Sequence, residues 1–540
     1  MFHVLDLFCG AGGLSLGFMQ TGRYVIDVAA EINPSAQETY LHNHENVIMY
    51  DDVSAIDYNN EDFRGIDIVI GGPPCQGFSN ANRQRNCIIS LNNKLVKQYV
   101  RAIREIHPKA FVMENVSMLR SDRHRFFVED GDVDDIRDFN IPVTDNHIIL
   151  LENDYVFDGL IDIANDNVQV EQYCWPSRTF KLLYNILKKA SNPKREKYLH
   201  SKKRAIERAV ADIVTIQGNA NIVDANNAVH HAISGYYNGK IEVDSLANQI
   251  KSALNVQKFL GKMLEIYTQH VVKNDLVLNE HGDIEIHLQS FSVLDFIQHV
   301  LGSGEYGYNL HSDVICAANY GVPQLRERFI LIGVRNDYLK EGEKVCAPEP
   351  EFTVGNYRTV RQAIFDLTRF KPGVNINNDP GIDFANKGES NALLDQLRNN
   401  DTLYNHIATA TRPNAQNRFD VLTPGQNFHN LDSSLKENTY SNSARTQNTI
   451  YLKLNYDQPS PTVVNVRKSM WVHPDPDIHR AISIREAARL QSFPDSFIFT
   501  GTKDSQYQQV GNAVPPLMAK AIAQKLADIV IDDDDENDNP

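Results

Sequence analysis

Short apolar runs alternate with helix-like segments over the first 116 residues of the chain. The runs VLDLF, YVIDVAAE, IDIVIGG and KAFVMENV have strand length, and GLSLGFMQ and SAQETYLHNH between them have helical periodicity. Continuous apolar strands separated by helices are typical of a parallel sheet covered on both faces. The pattern predicts an α/β fold with a doubly wound, mostly parallel, Rossmann-like sheet.

Polar and glycine residues follow each predicted strand directly. Residues 6–13 follow the first strand, Glu31 the second, Asp52 a third, residues 73–79 a fourth and Glu114 a fifth. A sheet of this kind binds its ligands at the carboxyl ends of its strands. We therefore expect the functional site at this edge.

The alternation stops near residue 122 and resumes near residue 288, so the main domain is predicted to be interrupted. A second interruption precedes the last helices, IREAARLQ and LMAKAIAQKLADIV. The predicted divisions are the α/β domain at 1–121, 288–335 and 481–530, a mainly helical insertion at 122–287, a smaller region rich in loops and short strands at 336–480, and a disordered acidic tail at 531–540.

The net charge of −16, from 53 Lys+Arg and 69 Asp+Glu, argues at first against a polyanionic partner. Its distribution weakens that argument. Residues 122–168 carry a net −10 and the chain from Asp528 onward a net −7, so the remainder is nearly neutral. Residues 178–208 carry a net +9, which is either a solvated helix face or a patch for an anionic partner.

Composition narrows the class of protein further. The six cysteines are scattered and include no CxxC pair, so we expect neither a disulfide framework nor a metal site. The first residues lead directly into an apolar strand, and no apolar stretch reaches about 18 residues. We expect a cytoplasmic protein without a signal peptide or a membrane span.

The segment DLFCGAGGLSLGF places Gly10, Gly12 and Gly13 where the first strand hands over to a helix. Glycine allows the backbone to approach a ligand closely there. The spacing is not G-x-G-x-x-G, because residue 15 is Ser. With Glu31 placed to hold ribose hydroxyls, the turn fits NAD, FAD or S-adenosylmethionine, and by itself it does not choose among them.

The segment GGPPCQGFS places the thiol of Cys75 at the end of a strand, and Glu114 ends the next strand along the chain. A thiolate is suited to covalent attack on an electron-poor carbon. A lone cysteine is more often inert packing, but a thiol and a carboxyl group on adjacent strand ends form a catalytic constellation.

These motifs, in this order, resemble the DNA (cytosine-5)-methyltransferases. The matching stretches are DLFCGAGGLSLGF, Glu31 with INPSA, Asp52-Val53, PPCQGFS, MENV, GVPQLRERFILIGVR, REAARLQSFPD and QVGNAVPP, which cover the α/β portions. The chain departs from the family at Ala81-Asn82-Arg83 and Ser90 to Asn93, in the loop expected to close over DNA. The segment between Glu114 and Gln324 is also unusually long.

The resemblance implies a chemistry and assigns residues to it. Cys75 would add to C6 of a flipped cytosine, Glu114 would stabilise the ring, and Arg326 and Arg328 would hold the base and its flanking phosphate. The methyl donor would be S-adenosylmethionine, leaving as S-adenosylhomocysteine. The residues implied to bind it are Phe8, Gly10, Ala11, Gly12, Gly13, Leu14, Glu31, Ile32, Asp52, Val53, Pro73, Asn512 and Val514.

The same resemblance places the recognition of double-stranded DNA in residues 336–480 and in the loop after Cys75. The implied DNA-binding residues are Gln76, Ser79, Arg83, Gln324, Arg418, Arg445 and Gln447. Asn, Gln, Arg and Ser side chains read base edges, but the target sequence does not follow from them. The insertion follows Glu114 closely, so Lys188 to Arg208 are a second candidate for phosphate contacts.

Three other functions are disfavoured by the sequence. An RNA cytosine-5 methyltransferase is disfavoured by the long 336–480 region, a non-catalytic homologue by the presence of Cys75 and Glu114, and an NAD-dependent oxidoreductase by PPCQ and ENV. The enzyme is expected to act as a monomer, as part of a restriction-modification system whose endonuclease acts separately.

Overall fold

A computed structural model describes residues 1–74, 94–120, 125–304, 306–377, 379–436 and 446–532 of the 540-residue chain. The strands are β1 (Phe2–Leu7), β2 (Tyr24–Ala30), β3 (Ile48–Tyr50), β4 (Ile68–Gly71), β5 (Ala110–Val116), β6 (Arg125–Phe127), β7 (Val143–Leu151), β8 (Val277–Leu278), β9 (Ile284–Ser292), β10 (Tyr308–Cys316), β11 (Glu327–Arg335), β12 (Ile382–Asp383) and β13 (Thr402–Leu403).

The helices are α1 (Gly13–Met19), α2 (Pro34–Asn43), α3 (Lys94–Ile106), α4 (Val133–Asp138), α5 (Leu160–Asn165), α6 (Asn167–Tyr173), α7 (Ser177–Lys188), α8 (Asn192–Ile213), α9 (Ala220–Tyr237), α10 (Val243–Thr268), α11 (Val293–Leu301), α12 (Val360–Ile364), α13 (Leu394–Leu397), α14 (Pro413–Val421), α15 (Ser433–Lys436), α16 (Val466–Ser469), α17 (Ile484–Leu490), α18 (Lys503–Asn512) and α19 (Pro516–Ile529). The described residues form two compact units, the first at 1–74, 94–120 and 300–532 and the second at 125–299.

A seven-stranded sheet in the order β10-β11-β5-β4-β1-β2-β3 organises the first unit. Strands β5, β4, β1, β2 and β3 are parallel, and β11 is antiparallel to both β5 and β10. The structure confirms the predicted α/β class with its mostly parallel, Rossmann-like sheet. Strand order reverses at β1, so the crevice where such sheets bind ligands lies between the carboxyl ends of β1 and β4.

The sequence of β4 explains its central position. Ile68, Val69 and Ile70 are fully buried, as expected for a strand with helices on both faces of its sheet. Helix α1 packs against α19, and a side chain at Gly17 would collide with Ala519. Residues more than 500 positions apart in the chain therefore form one layer of the core.

The second unit combines helices with a small antiparallel sheet. Strands β6, β9 and β7 lie side by side and β8 pairs with β9. Helices α5 to α10 follow β7 in the chain, and α10 buries Leu246, Ile250 and Leu260 along one face at helical spacing. The sequence indicated the helices of this region but not its sheet.

The described residues between 336 and 480 form short elements, among them β12 and β13, α12 to α16 and several single 3₁₀ turns. Small apolar clusters, one of them around Phe419 and Phe428, hold this region together. Within the described part of the chain, no helix is both long enough and apolar enough to cross a membrane.

Candidate active site

The turn after β1 has a backbone that favours glycine. Gly10 and Gly12 have φ values of +56° and +93°, in the left-handed region. A side chain at Gly10 would meet open space, whereas one at Gly13 would collide with the carbonyl oxygen of Val514. The turn is therefore packed on one side and open beside Gly10. The other residues predicted here are Phe8, half-buried with φ +59°, and the buried Ala11 and Leu14.

Glu31, just after β2, is joined to this turn by its carboxylate. Its Oε2 accepts a hydrogen bond from the Gly10 N–H at 3.0 Å, and its Oε1 accepts one from the Asn33 N–H at 2.7 Å. Burial raises the pKa of this carboxyl group. The next side chain, Ile32, is 72% exposed, which is unusual for a residue of its type. The carboxylate of Glu31 beside the exposed side chain of Ile32 fits a nucleoside, which has a polar ribose and a flat base.

Asp52 and Val53 follow β3, the neighbour of β2 in the sheet. The register pairs Ala30 with Tyr50, which brings the residues after the two strands to the same edge. Asp52 is exposed and its Oδ1 accepts a hydrogen bond from the Ser54 N–H at 2.9 Å, whereas Val53 is buried. The structure thus places Asp52 on the edge predicted for it, with its side chain in solvent.

The end of β4 lies beside the end of β5. A Cβ atom placed on Gly72 would be 3.2 Å from Glu114 Oε2, so the backbone passes close to that carboxylate. Pro73 is buried, and its carbonyl oxygen accepts a hydrogen bond at 2.9 Å from the side-chain amide of Asn115. Asn115 thereby fixes the chain two residues before Cys75. Asn115 lies in the MENV motif, yet the sequence did not identify it as a site residue.

Some of the predicted residues lie outside the described residues. They are Cys75, Gln76, Ser79, Arg83 and Arg445. Their assignments remain predictions.

Glu114 on β5 pairs with Arg328 on β11. The distance from Arg328 Nε to Glu114 Oε1 is 2.7 Å, and the two side chains are only 15% and 13% exposed. The antiparallel register pairs Glu114 with Ile330 and Arg328 with Val116, which sets both side chains on one face of the sheet. A partly buried carboxylate is thus held by a permanent cation at the edge where ligands are expected.

Arg326 and Gln324 are interior residues. Arg326 donates hydrogen bonds of 3.0–3.2 Å to the carbonyl oxygens of Val463 and Gly511, and burial pulls its pKa well below the ordinary value. Gln324 is fully buried, accepts from the Val463 N–H at 2.6 Å and donates to Gln491 Oε1 at 2.7 Å. In this structure Gln324 does not reach the surface, so it is not placed to contact DNA.

The C-terminal segment forms part of the wall of the glycine-rich turn. Val514 is buried against Gly13, and Asn512 is exposed at the end of α18, where its Oδ1 accepts from Gln508 Nε2 at 2.8 Å. The sequence motif QVGNAVPP therefore lies beside DLFCGAGG in space, as its assignment to the same pocket requires.

The two described residues predicted to read DNA within residues 336–480 lie in different environments. Arg418 is buried and donates to the carbonyl oxygen of Leu435 at 2.8 Å and to the hydroxyl of Tyr451 at 3.0 Å. Gln447 is exposed. In the described structure only Gln447 of this pair is accessible to a macromolecule, because the guanidinium of Arg418 is used inside the fold.

A buried polar group beneath the glycine-rich turn was not identified from the sequence. Ser15 Oγ donates to Asp6 Oδ2 at 2.5 Å and contacts the Tyr40 hydroxyl at 2.7 Å. Burial raises the pKa of Asp6 to about 8 and lowers that of the neighbouring His44 to about 4. The available signal was Asp6, the one charged residue inside the apolar run VLDLF. These buried side chains pack under the glycine-rich turn and support its backbone.

Comparison with known proteins gives a consistent result. The family model for C-5 cytosine-specific DNA methylases matches residues 2–131 and 296–528. The type II methyltransferase M1.HphI of Haemophilus parahaemolyticus is 24% identical over 528 residues, which is 97% of this chain and 86% of the relative. The type II methyltransferase M.DdeI of Desulfomicrobium norvegicum is 22% identical and covers 97% of this chain and 88% of its own length.

A solved structure supports the fold alone. It is a protein described as a DNA modification methyltransferase encoded within an E. coli prophage, and it is 19% identical with a TM-score of 0.52 over 98% of this chain and 99% of the other. The family model, in contrast, matches well over half of the residues, including the strand ends described above. The chain therefore belongs to the C-5 cytosine-specific DNA methylases, enzymes that methylate cytosine in DNA at C5.

Proposed function

We propose that this enzyme methylates a cytosine flipped out of a specific double-stranded DNA sequence, through a covalent bond between Cys75 and C6 of the base. The observation that carries the proposal is the pair Glu114–Arg328 next to Gly72, since it sets a carboxylate beside the segment that leads to Cys75. The membership of the family fixes the target atom as C5 of cytosine.

S-adenosylmethionine is the proposed methyl donor, supplying a methyl group on a sulfonium and leaving as S-adenosylhomocysteine. The edge formed by β1, β2 and β3 fits its nucleoside half. Glu31 would accept hydrogen bonds from the ribose hydroxyls, the exposed Ile32 would cover one face of the adenine, and Asp52 would accept from the adenine amine. Phe8, the turn at Gly10 to Leu14, Val53, Pro73, Asn512 and Val514 would line the rest.

The chain's own chemistry begins at Cys75. Its thiolate adds to C6, forming a carbon–sulfur bond and shifting the electron pair of the C5–C6 bond toward C5, N3 and the exocyclic amine. C5 then carries the density needed to accept the methyl group. Loss of the C5 proton to a base breaks the bond to sulfur and returns the free thiolate.

Glu114 would interact with N3 and the amine of the flipped ring as negative charge moves onto them. Arg328 fixes the orientation of Glu114 through Nε and donates from Nη1 to the carbonyl oxygen of Glu327 at 2.7 Å, and we assign its other terminal nitrogen to the base or a phosphate. Arg326 is a positioning residue. It lies just before β11, and its guanidinium donates hydrogen bonds to the carbonyl oxygens of Val463 and Gly511.

Base flipping is part of the proposal because C5 and C6 of a stacked cytosine are closed to both nucleophile and donor. We propose that residues 336–480 read the target, with Arg445 and Gln447 near the base edges and Gln76, Ser79 and Arg83 closing over the flipped nucleotide. Gln324 and Arg418 would instead hold the fold of this region.

The type II methyltransferase relatives suggest a role in restriction-modification, with a separate endonuclease that cleaves the unmethylated sequence. We propose that the enzyme acts as a monomer on cytoplasmic DNA. Labelled-methyl transfer to mixed DNA, with mixed RNA as the control substrate, should occur on DNA alone.

The covalent step is tested with DNA containing 5-fluorocytosine at the target, because fluorine at C5 cannot be lost and the adduct persists. The target sequence is first found by methylating mixed DNA and sequencing for 5-methylcytosine. We expect a denaturant-stable complex with the native enzyme and none with Cys75→Ser.

Cys174→Ser is the matched control, since Cys174 is a half-buried thiol of the second unit. It should form the complex at the native rate. No transfer of methyl groups to DNA by the native enzyme, or an undiminished complex with Cys75→Ser, would refute the proposal.

Substitution of Glu114 tests the carboxylate separately from the nucleophile. Glu114→Gln should lower kcat by about 10²–10⁴, the range for a positioned acid or base, and leave binding of S-adenosylmethionine unchanged. Glu61→Gln, at an exposed glutamate of the same unit, is the control and should retain activity. An equal loss in both variants would show that Glu114 has no special role.

The basic stretch predicted from the sequence forms most of α8, and we propose that it contacts DNA phosphates. Lys194 and Lys202 are exposed, whereas Arg195 pairs with Asp244 at 3.1 Å. The double variant Lys194→Glu/Lys202→Glu should weaken DNA binding and reduce the slope of log K against log salt by about 0.9 per lost phosphate contact. Reversal of the exposed Lys240 is the control. Unchanged affinity and slope would remove α8 from the DNA interface.

A further inference from the structure

Two histidines and a glutamate meet on the outer face of the sheet in the second unit. His147 on β7 lies directly opposite His287 on β9, and Glu285 is two residues before His287. Residues two apart on a strand share a face. Ile284 and Ile286, which alternate with these residues along β9, are fully buried on the opposite face. The three side chains are therefore held together by the same register that forms the core.

One nitrogen of each imidazole contacts the same carboxylate oxygen of Glu285. Glu285 Oε1 is 2.9 Å from His147 Nδ1 and 3.0 Å from His287 Nε2, and the three ligand atoms all lie within 4.8 Å of one another. In a tetrahedral site with bonds of about 2.0–2.1 Å, ligand atoms are about 3.3 Å apart. The two nitrogen-to-oxygen distances are a few tenths of an ångström short of that spacing, so side-chain rotations would open room for a cation between the three atoms.

The chemistry of the three groups suits a transition metal. Imidazole nitrogens favour Zn²⁺, Ni²⁺ and Cu²⁺, and one carboxylate completes a set that Mg²⁺ or Ca²⁺ would not select. Asp145 lies one cross-strand pair away on the same face, where Gln289 holds it at 3.1 Å, and it adds negative charge.

The site is also open to solvent. The side chains of His147, His287 and Glu285 are 60%, 34% and 15% exposed, so an ion has a route in and keeps room for water ligands. The sequence-based expectation of no metal site rested on the cysteine pattern, whereas this site involves no cysteine and its ligands His147 and Glu285 are 138 residues apart.

We propose that His147, Glu285 and His287 bind one divalent transition-metal cation, with Zn²⁺ as the representative ion, and that the bound ion joins β7 to β9. Helices α5 to α10 lie between these strands in the chain. An ion that binds only the folded sheet would stabilise the second unit. The proposal does not depend on methyl transfer.

Calorimetric titration of the chelator-treated full chain with Zn²⁺ tests it. We expect one equivalent to bind, and His147→Gln, His287→Gln and Glu285→Gln each to weaken that binding by about tenfold or more. His200→Gln is the matched control, since His200 is an exposed histidine of the same unit on α8. It should bind like the native chain. No Zn²⁺, Ni²⁺ or Cu²⁺ binding, or equal affinity in all four variants, overturns the proposal.

A second measurement needs no substitution. Diethyl pyrocarbonate modifies accessible imidazoles, and mass spectrometry locates the modified histidines. With Zn²⁺ present, His147 and His287 should be protected by about tenfold or more while His200 is modified as before. Equal modification of all three with and without Zn²⁺ overturns the proposal, even where the variants fail to fold.

Discussion

The two units of this protein are stabilised by interiors of different chemistry. The first unit buries six arginines among its described residues, namely Arg326, Arg358, Arg398, Arg418, Arg485 and Arg489. The second unit buries no arginine in its described part, and its interior is built from leucine, isoleucine, valine and aromatic side chains on helices.

The difference follows from the backbone. Helices of the second unit satisfy their own N–H and C=O groups, so apolar side chains suffice to pack them. The loop-rich part of the first unit leaves carbonyl oxygens without such partners. Arg485 shows the consequence, since it donates to the carbonyl oxygens of Tyr404, Pro494 and Phe497 at 2.7–3.0 Å. Buried arginine is thus a substitute for regular secondary structure.

The chain offers a probe for each interior. Its two tryptophans are Trp175, buried in the second unit, and Trp471, buried in the first. Replacing either one by phenylalanine leaves a fluorescence signal that reports on a single unit.

The largest expected effect is the loss of a buried ion pair from the first unit. Asp495 accepts two hydrogen bonds from Arg489, at 2.9 and 2.7 Å, and both residues are fully buried. Asp495→Asn should lower the free energy of unfolding by about 3–5 kcal/mol, because it leaves the buried guanidinium groups of Arg489 and Arg398 to share the carboxylate of Asp366. Denaturant titration followed by Trp471 measures it. A change below about 1 kcal/mol would contradict an ionic interior.

The second-largest effect on the free energy of unfolding is expected from a cavity made in the second unit. Leu260 on α10 is fully buried, and Leu260→Ala should lower the free energy of unfolding by about 2–5 kcal/mol in the transition reported by Trp175. Leu264→Ala, at a half-buried position one turn on, is the matched control and should cost less. If both variants unfold like the native chain, the apolar account of this unit is wrong.

The third effect, on the stability of the first unit in acid, should be smaller than the two above. Burial lowers the pKa of His473 from 6.5 to about 4, so the unfolded chain binds more protons between these values. The stability of the first unit should therefore fall as the pH is lowered from about 6.5 to about 4, and less steeply in His473→Gln. Urea midpoints at several pH values, read from Trp471, provide the test. Parallel pH profiles for the two proteins would exclude a contribution from His473.

The smallest effect is expected at the surface of the second unit. Asp134 and Arg137 form an exposed ion pair at 2.9 Å on α4. Asp134→Asn should leave the Trp175 transition unchanged within error, because exposed pairs contribute little and are screened by salt. A large shift would show that charge matters in the second unit as it does in the first.

Sequence periodicity was sufficient to predict which residues lie at the carboxyl edge of the large sheet. Glu31 and Glu114 were identified because each polar residue ends an apolar strand, and the register places them at that edge. Periodicity could not show that Gln324 and Arg418 are interior, since a polar side chain suggests solvent and its hydrogen-bond partners lie far away in sequence. The sheet of the second unit escaped notice because β7 pairs with a strand more than 130 residues later.

Because α1 packs on α19, part of the core of the first unit can form only at the end of synthesis. Leu14 and Phe18 emerge from the ribosome early, but Met518 and Ile522, with which they share a core, emerge about 500 residues later. At roughly 5–20 residues per second, that interval is about 25–100 s. The second unit carries its core within residues 125–299 and has no such wait. A nascent chain that stalls before α19 therefore leaves the first helix uncovered, beside a glycine-rich turn that still lacks its C-terminal wall.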